Sequence, residues 1–208
     1  MKLSNIDEGT TITLDLCKVD ENFLKNNSLT KSTMKLVGES EFKKLRNKSL
    51  ILIGFSGGFR RSELVNIDYD DLEFVSEGVK IFIKRSKTDQ SGEGMIKAIP
   101  YFDNKIFCPV VKLKDWINYS QIRSGKVFDI SDKSVALTVK KYAALAGLDS
   151  NKYSGHSLRS GFATSTAELG AEERSIMAMT GHKTTQMVRR YISCLLYTSP
   201  SPRDRTRS

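Results

Sequence analysis

A chain of 208 residues with 39% hydrophobic and 27% charged side chains can bury one real core, since single domains commonly run from about 50 to 250 residues. No apolar run approaches the roughly 18 residues needed to span a bilayer, and Met1 to Asp15 lack the basic start and apolar stretch of a secretory signal, so a soluble cytoplasmic protein is expected, with no membrane contact. The formal charge of +9 makes the phosphate backbone of nucleic acid the first partner to consider, while Cys17, Cys108 and Cys194, odd in number and far apart, support neither a disulfide framework nor a zinc ligand set.

Residues 1 to 38 show little periodicity and are read as an arm with room for one short helix. A helix is predicted over Ser40 to Phe55, with Leu45, Leu50, Ile51 and Ile53 on an apolar flank and Gly57 and Gly58 ending it. The glycine turn presents Phe59 and Arg60, and Arg61 to Ile67 form a short following helix, Leu64 and Ile67 lying three apart. Leu72 to Val75, Val79 to Lys84 and Met95 to Pro100 read as strands of a small antiparallel sheet, the last two separated by the polar loop Arg85 to Gly94. Helices are then expected at Pro109 to Ser120, Ser131 to Ala146, Ser157 to Gly170, Glu172 to Met179 and Thr184 to Ile192. In the second of these Val135, Val139, Tyr142 and Ala146 fall at helical spacing, as core residues do. The fold class is mainly α with a small antiparallel β-sheet, an α+β arrangement.

The last residues break this pattern. Cys194 to Asp204, CLLYTSPSPRD, matches a translation of the adapter used in transposase-based sequencing libraries. Residues 194 to 208 are therefore read as an adapter-derived, disordered tail, which makes Tyr197 foreign to the protein. Without Arg203, Asp204, Arg205 and Arg207 the chain stays basic.

Phosphate transfer needs cations that hold non-bridging oxygens, a nucleophile, and a proton donor for the departing oxygen. Arg60 follows a flexible turn, where its planar fork can meet a phosphate two bonds at a time; alone it reads more simply as an exposed arginine beside a helix start. In Gly155-His156-Ser157-Leu158-Arg159, a helix beginning here puts His156 and Arg159 three apart, next to free backbone N–H groups. The plainer reading is a capping histidine with a solvated arginine. Gly181-His182 precedes Tyr191 by a helix, and Tyr191 by residue type alone reads as buried core. Lys87 sits in a hairpin loop, where a solvated lysine is the usual occupant. Gly54 to Ser62 lacks the Gly-Lys-Ser/Thr ending of a nucleotide phosphate loop, and His156 and His182 have no metal-ligand spacing, so no cofactor or metal is expected.

Together, in order and spacing, these motifs resemble the tyrosine recombinase, or phage integrase, family, whose pattern is Arg, Glu, Lys, His-x-x-Arg, His or Trp, then Tyr. Arg60, Glu63, Lys87, His156, Arg159, His182 and Tyr191 fill its seven positions, within SKTDQSGEG, GHSLRSGFAT and GHKTTQMVRRYI. The resemblance covers roughly residues 40 to 192 and implies the integrase catalytic-domain fold over 39 to 193. It implies Tyr191 as the nucleophile forming a 3'-phosphotyrosine, Arg60 and Arg159 neutralising phosphate oxygens, and His182 donating to the same phosphate. His156 would handle the tyrosine proton, Lys87 would protonate the departing 5'-oxygen, and Glu63 would orient the site. The implied partners are double-stranded DNA, three further copies of the chain on paired sites, and accessory DNA-bending proteins, within a prokaryotic nucleoid; no ATP or metal is implied.

Two departures stand beside the match. Residues 1 to 38 are too short for the N-terminal helical domain usual in the family and are read as a remnant of it or a linker to it, and only Ile192 and Ser193 separate Tyr191 from the tail. Two alternatives follow: DNA relaxation of the type IB topoisomerase kind, and a truncated, non-catalytic DNA-binding fragment.

Overall fold

The computed structural model describes residues 40–84, 94–182, 184 and 186. Helix α1, Glu41–Ser56, follows the extended Ser40 and places Leu50 and Ile53 in the core. Gly57 N–H still bonds to Ile53 O, and Phe59 N–H reaches back to Gly54 O, so the chain leaves the helix through a tight turn. Gly58 makes that turn possible: its φ is +55°, and a Cβ there would stand 2.8 Å from Phe162 Cδ1, a conformation and an approach that only glycine accepts at low cost. The short helix α2, Arg61–Asn66, starts directly after Arg60.

Three strands follow, β1 (Leu72–Val75), β2 (Gly78–Ile83) and β3 (Met95–Pro100), in the sheet order β1-β2-β3. Both pairings are antiparallel, with Ile81 opposite Leu72 on one side and opposite Lys97 on the other. Val79, Ile81, Ile83 and Ile99 point into the core, whereas Phe82 and Ile96 face outward, as the period of two requires. Strand β2 starts one residue before the expected Val79, at Gly78, which pairs with Pro100 where a Cβ would lie 2.0 Å from Ile99 O. The strand stops at Ile83: Lys84 leaves it to pair with Asp68 at 2.9 Å and Asp71 at 3.0 Å. Lys126 holds the other oxygen of Asp68 at 3.0 Å, tying the root of the β2–β3 connection to the 3-10 turn Tyr69–Asp71 and to the loop between the helices Pro109–Ser120 and Asp132–Leu145.

The remaining helices are α3 (Pro109–Ser120), α4 (Asp132–Leu145), α5 (Ser157–Glu168) and α6 (Glu173–Thr180). Proline opens α3, where its missing N–H would have had no partner in any case. Ser131 caps α4 by accepting from Ser134 N–H at 3.2 Å. Helix α5 ends two residues earlier than its apolar pattern suggests, since Gly170 takes a φ of +81° just past the end. Helix α1 packs against α3 and α5, α2 against α4, and α5 against α6. One cluster of Leu50, Ile53, Leu64, Ile81, Ile99, Leu113 and Trp116 joins the helices to the inner face of the sheet. Trp116 fixes its ring by donating Nε1–H to Val127 O at 2.8 Å. Among the described residues no helix is long and apolar enough to cross a membrane. The expected arm, the tail and most of the helix expected at Thr184 to Ile192 lie outside the described residues.

Leu113 is fully buried in this shared core. Truncation to Ala removes transfer free energy and leaves a cavity, which typically costs ~2–5 kcal/mol. Leu113→Ala is therefore expected to lower the unfolding free energy by that amount in a urea titration followed by the fluorescence of Trp116, the chain's single tryptophan.

Candidate active site

The site begins with a buried carboxylate. Glu63 is the third residue of α2, and from there its side chain reaches back so that Oε2 accepts from Arg60 N–H at 3.0 Å, the acidic half of a capping box. Its Oε1 accepts from Arg60 Nη1 at 2.6 Å, and Lys97 Nζ lies 3.4 Å from Oε2. Burial pushes the Glu63 carboxyl up, but the Lys97 charge and the bonds from Arg60 outweigh it and hold the group below the ordinary glutamate value. Arg60 keeps 15% of its side chain exposed while Glu63 keeps 2%, so the carboxylate is the hidden anchor and the guanidinium is the face turned to solvent.

Arg159 arrives from the first turn of α5. It is 3% exposed, and its Nη1 donates to Gly58 O at 3.1 Å across a hundred residues of sequence. The glycine turn is thus the meeting point: Gly58 packs on Phe162 of α5 and on Thr180 of α6. His182 follows Gly181, which ends α6 in the left-handed conformation. Thr180 Oγ1 donates its only proton to Ile176 O at 2.5 Å and lies 2.8 Å from His182 Nδ1. With that proton committed, Thr180 accepts and His182 Nδ1 donates. The neutral ring then carries its lone pair on Nε2. Burial, followed by the charges of Arg159, Arg60 and Lys97, lowers the His182 pKa to about 4.

Of the seven residues singled out from sequence, the structure brings Arg60, Glu63, Arg159 and His182 to one place. His156 is exposed at the N-cap of α5, where its carbonyl accepts from Ser160 N–H at 2.9 Å. The preceding Gly155 packs against the Arg61 side chain, so His156 stands beside the Arg60–Arg61 turn. His156 and Arg159, three apart in the sequence, differ in exposure: Arg159 turns inward and His156 stays at the surface. Lys87 and Tyr191 lie outside the described residues.

Sequence reasoning missed Lys97, which is fully buried in the middle of the cluster. Its signal was positional: it lies two residues before Ile99, on the same face of β3. Thr180 was missed as well, because a threonine near a helix end draws attention only once its bond to the histidine is visible. Among the described residues no group of three or more His, Cys, Asp or Glu side chains is placed to hold a metal ion. The described cluster contains three cations around one carboxylate, a net positive pocket. Such a site suits an anion.

The helical layers and the three-stranded antiparallel sheet are the fold of tyrosine recombinase catalytic domains. The chain belongs to the phage integrase family, whose profile matches residues 27–195. It is 48% identical over 169 residues to an integrase/recombinase XerD homologue of Selenomonas ruminantium, a match that covers 76% of this chain and 50% of that protein. It is 30% identical over 174 residues to the tyrosine recombinase XerA of Pyrococcus horikoshii, covering 79% of this chain and 59% of the relative. The chain therefore spans about half the length of the curated relatives it matches. In fold it is similar to the XerH site-specific recombinase bound to its palindromic difH substrate, with a TM-score of 0.64 at 20% identity, over 79% of this chain and 46% of that one. A second similar fold is that of XerA recombinase, with a TM-score of 0.61 at 15% identity, over 94% of this chain and 66% of that one.

Two outcomes are expected from this geometry. In the DNA-free protein, nitrogen-15 NMR should find His182 as the Nδ1–H tautomer, titrating near 4. The unfolded chain binds that proton more readily, near the ordinary value of about 6.5, so this group makes stability fall as pH drops from 6.5 through 4. A ring that titrates at 6.5 or above would contradict the arrangement. Secondly, Gly58→Ala meets both a positive φ and the Phe162 ring, so a loss of at least ~1 kcal/mol is expected, read as a lowered thermal midpoint.

Proposed function

We propose that this chain is the catalytic portion of a site-specific DNA recombinase that cuts and rejoins strands through Tyr191. The observation that supports this most directly is the crowding of Arg60, Arg159 and Lys97 around the single carboxylate of Glu63, with His182 beside them. A phosphodiester would bring negative charge to a cluster in which, among the described residues, three cations stand around one carboxylate.

In the proposed reaction Tyr191 Oη attacks the scissile phosphorus. A phosphorus–oxygen bond to the tyrosine forms, and the bond to the 5'-oxygen breaks. The phenol has an ordinary pKa near 10 and needs a base; His156, exposed beside the Arg60–Arg61 turn, takes its proton in cleavage and returns it in resealing. Lys87 gives a proton to the departing 5'-oxygen. Arg60 and Arg159 stabilise charge on the non-bridging oxygens. His182 can donate to the phosphate from Nε2 only after gaining a second proton, which the incoming negative charge favours against the arginines that suppress it. Glu63 orients Arg60 rather than moving protons.

The 3'-phosphotyrosine ester keeps the energy of the phosphodiester, so a 5'-hydroxyl of another duplex reverses the step without ATP. Four copies on two DNA sites would exchange strands one pair at a time, with DNA-bending proteins as possible assistants. The recombinase and integrase names of the relatives favour strand exchange over topoisomerase-like relaxation.

The test uses nicked duplexes of randomised sequence, from which the chain selects its own substrate as an SDS-resistant adduct. Tyr191→Phe should abolish the adduct and Tyr197→Phe should leave it. An adduct that persists in Tyr191→Phe would sink the assignment. With the captured sequence in two marked duplexes, exchanged flanks indicate a recombinase, and relaxation without exchange indicates a topoisomerase. Binding should weaken steeply with salt as counterions are released.

A further inference from the structure

Lys97 is a lysine where a strand of this sheet should carry a core side chain. It is opposite Ile81, two residues before Ile99, and completely inaccessible to solvent. Burying an ammonium costs several kcal/mol unless its donors are all satisfied. Here they are. Nζ donates to Gly57 O at 2.9 Å and to Gly58 O at 3.3 Å, and faces Glu63 Oε2 at 3.4 Å. The charge also sits 4.4 Å from the centre of the Phe59 ring. An ammonium has three protons, and three acceptors occupy them. Lys97 therefore has neither a spare proton nor a path to a leaving group.

Its partners say what it does instead. Gly58 O accepts from both Lys97 and Arg159 Nη1. Glu63 Oε2 receives both Lys97 and the backbone N–H of Arg60, while Oε1 holds the Arg60 guanidinium. Each arginine of the site is thus separated from Lys97 by a single shared acceptor.

We propose that Lys97 is a positioning residue, which holds the Gly57–Gly58 turn and Glu63 from beneath so that Arg60 and Arg159 are set for the same phosphate. This rests on the recombinase reading above. Without Lys97 the turn carbonyls and the buried carboxylate lose their common partner, and the two guanidiniums lose their fixed separation. A displacement of about 1 Å at such a site is enough to cost ~100-fold in rate.

The experiment measures single-turnover cleavage of the captured suicide duplex, together with its binding by fluorescence anisotropy and the thermal midpoint of each variant. Lys97→Met/Glu63→Gln removes the ammonium without stranding a buried carboxylate, and Glu63→Gln alone is its reference. Relative to that reference, the double variant should keep DNA affinity within about 3-fold and cleave at least ~100-fold more slowly. Lys97→Arg, whose guanidinium can reach the same acceptors, should recover cleavage to within about 10-fold of wild type, whereas the neutral Lys97→Gln should not. A merely structural lysine would shift the midpoint and leave the rate per folded molecule alone. Cleavage by the double variant equal to that of Glu63→Gln overturns the proposal, as does a folded Lys97→Gln with wild-type rate. No adduct from the wild-type chain itself would instead refute the recombinase reading, and this inference with it.

Discussion

The carboxylate of Glu63 sets the terms for the rest of the structure. A buried, ionised carboxylate is tolerated only with full compensation, and here the compensation comes from two separate parts of the chain: Arg60 before α2, through both its guanidinium and its backbone N–H, and Lys97 on β3. To deliver Lys97, β3 must lie with that face inward. To deliver Arg60, the chain must turn sharply between α1 and α2, which Gly58 permits. The sheet and the helices are therefore joined twice, by the apolar cluster around Leu113 and Trp116 and by one ionic knot.

The knot is deliberately unbalanced in sign. Repulsion among its cations is visible in their neighbours: Arg159 and Arg60 add to burial in lowering Lys97 to about 8, and the same two arginines act on His182. In a protein without an anionic ligand this surplus is a cost with no return. Under the proposed function, stability would be given up locally so that positive charge is desolvated and oriented before the phosphate arrives. The surrounding core, rigid and close-packed, is what can bear that cost.

Much of the scaffold was legible in the sequence because its elements are short and strongly patterned. The strands at Leu72–Val75 and Met95–Pro100 and the helix at Pro109–Ser120 have the expected bounds, since alternation, helical spacing and proline or glycine punctuation all agree there. The family pattern likewise pointed to Arg60, Glu63, Arg159 and His182, which converge through contacts between residues far apart in sequence. What the linear pattern concealed is tertiary. Lys97 looked like an ordinary polar residue of a strand because residue type suggests solvent, while its parity with Ile99 puts it inside. The separation of His156 from Arg159 in exposure was hidden for a related reason: three-residue spacing puts them on one side of a regular helix, but only Arg159 meets an acceptor from a distant part of the chain, Gly58 O, and turns inward. The proton position on His182 depends on Thr180, whose own proton is already taken by Ile176.

These features bear on how the proposed chemistry would be driven. A phosphodiester carries one negative charge, and more gathers on its non-bridging oxygens as a fifth bond to phosphorus forms. A fixed excess of positive charge therefore binds the transition state more tightly than the substrate, which is the condition for raising the rate rather than the affinity alone. In the proposed reaction His182 would add a second, graded response. Burial and the charges of Arg159, Arg60 and Lys97 favour its neutral form, and the effect of those charges would weaken as negative charge accumulates. Its protonation, and with it a further hydrogen bond to the phosphate, would follow the progress of the reaction. Fixed guanidiniums cannot provide that, because their charge is the same at every stage; a histidine held neutral by its neighbours can, provided that Thr180 keeps Nδ1 occupied.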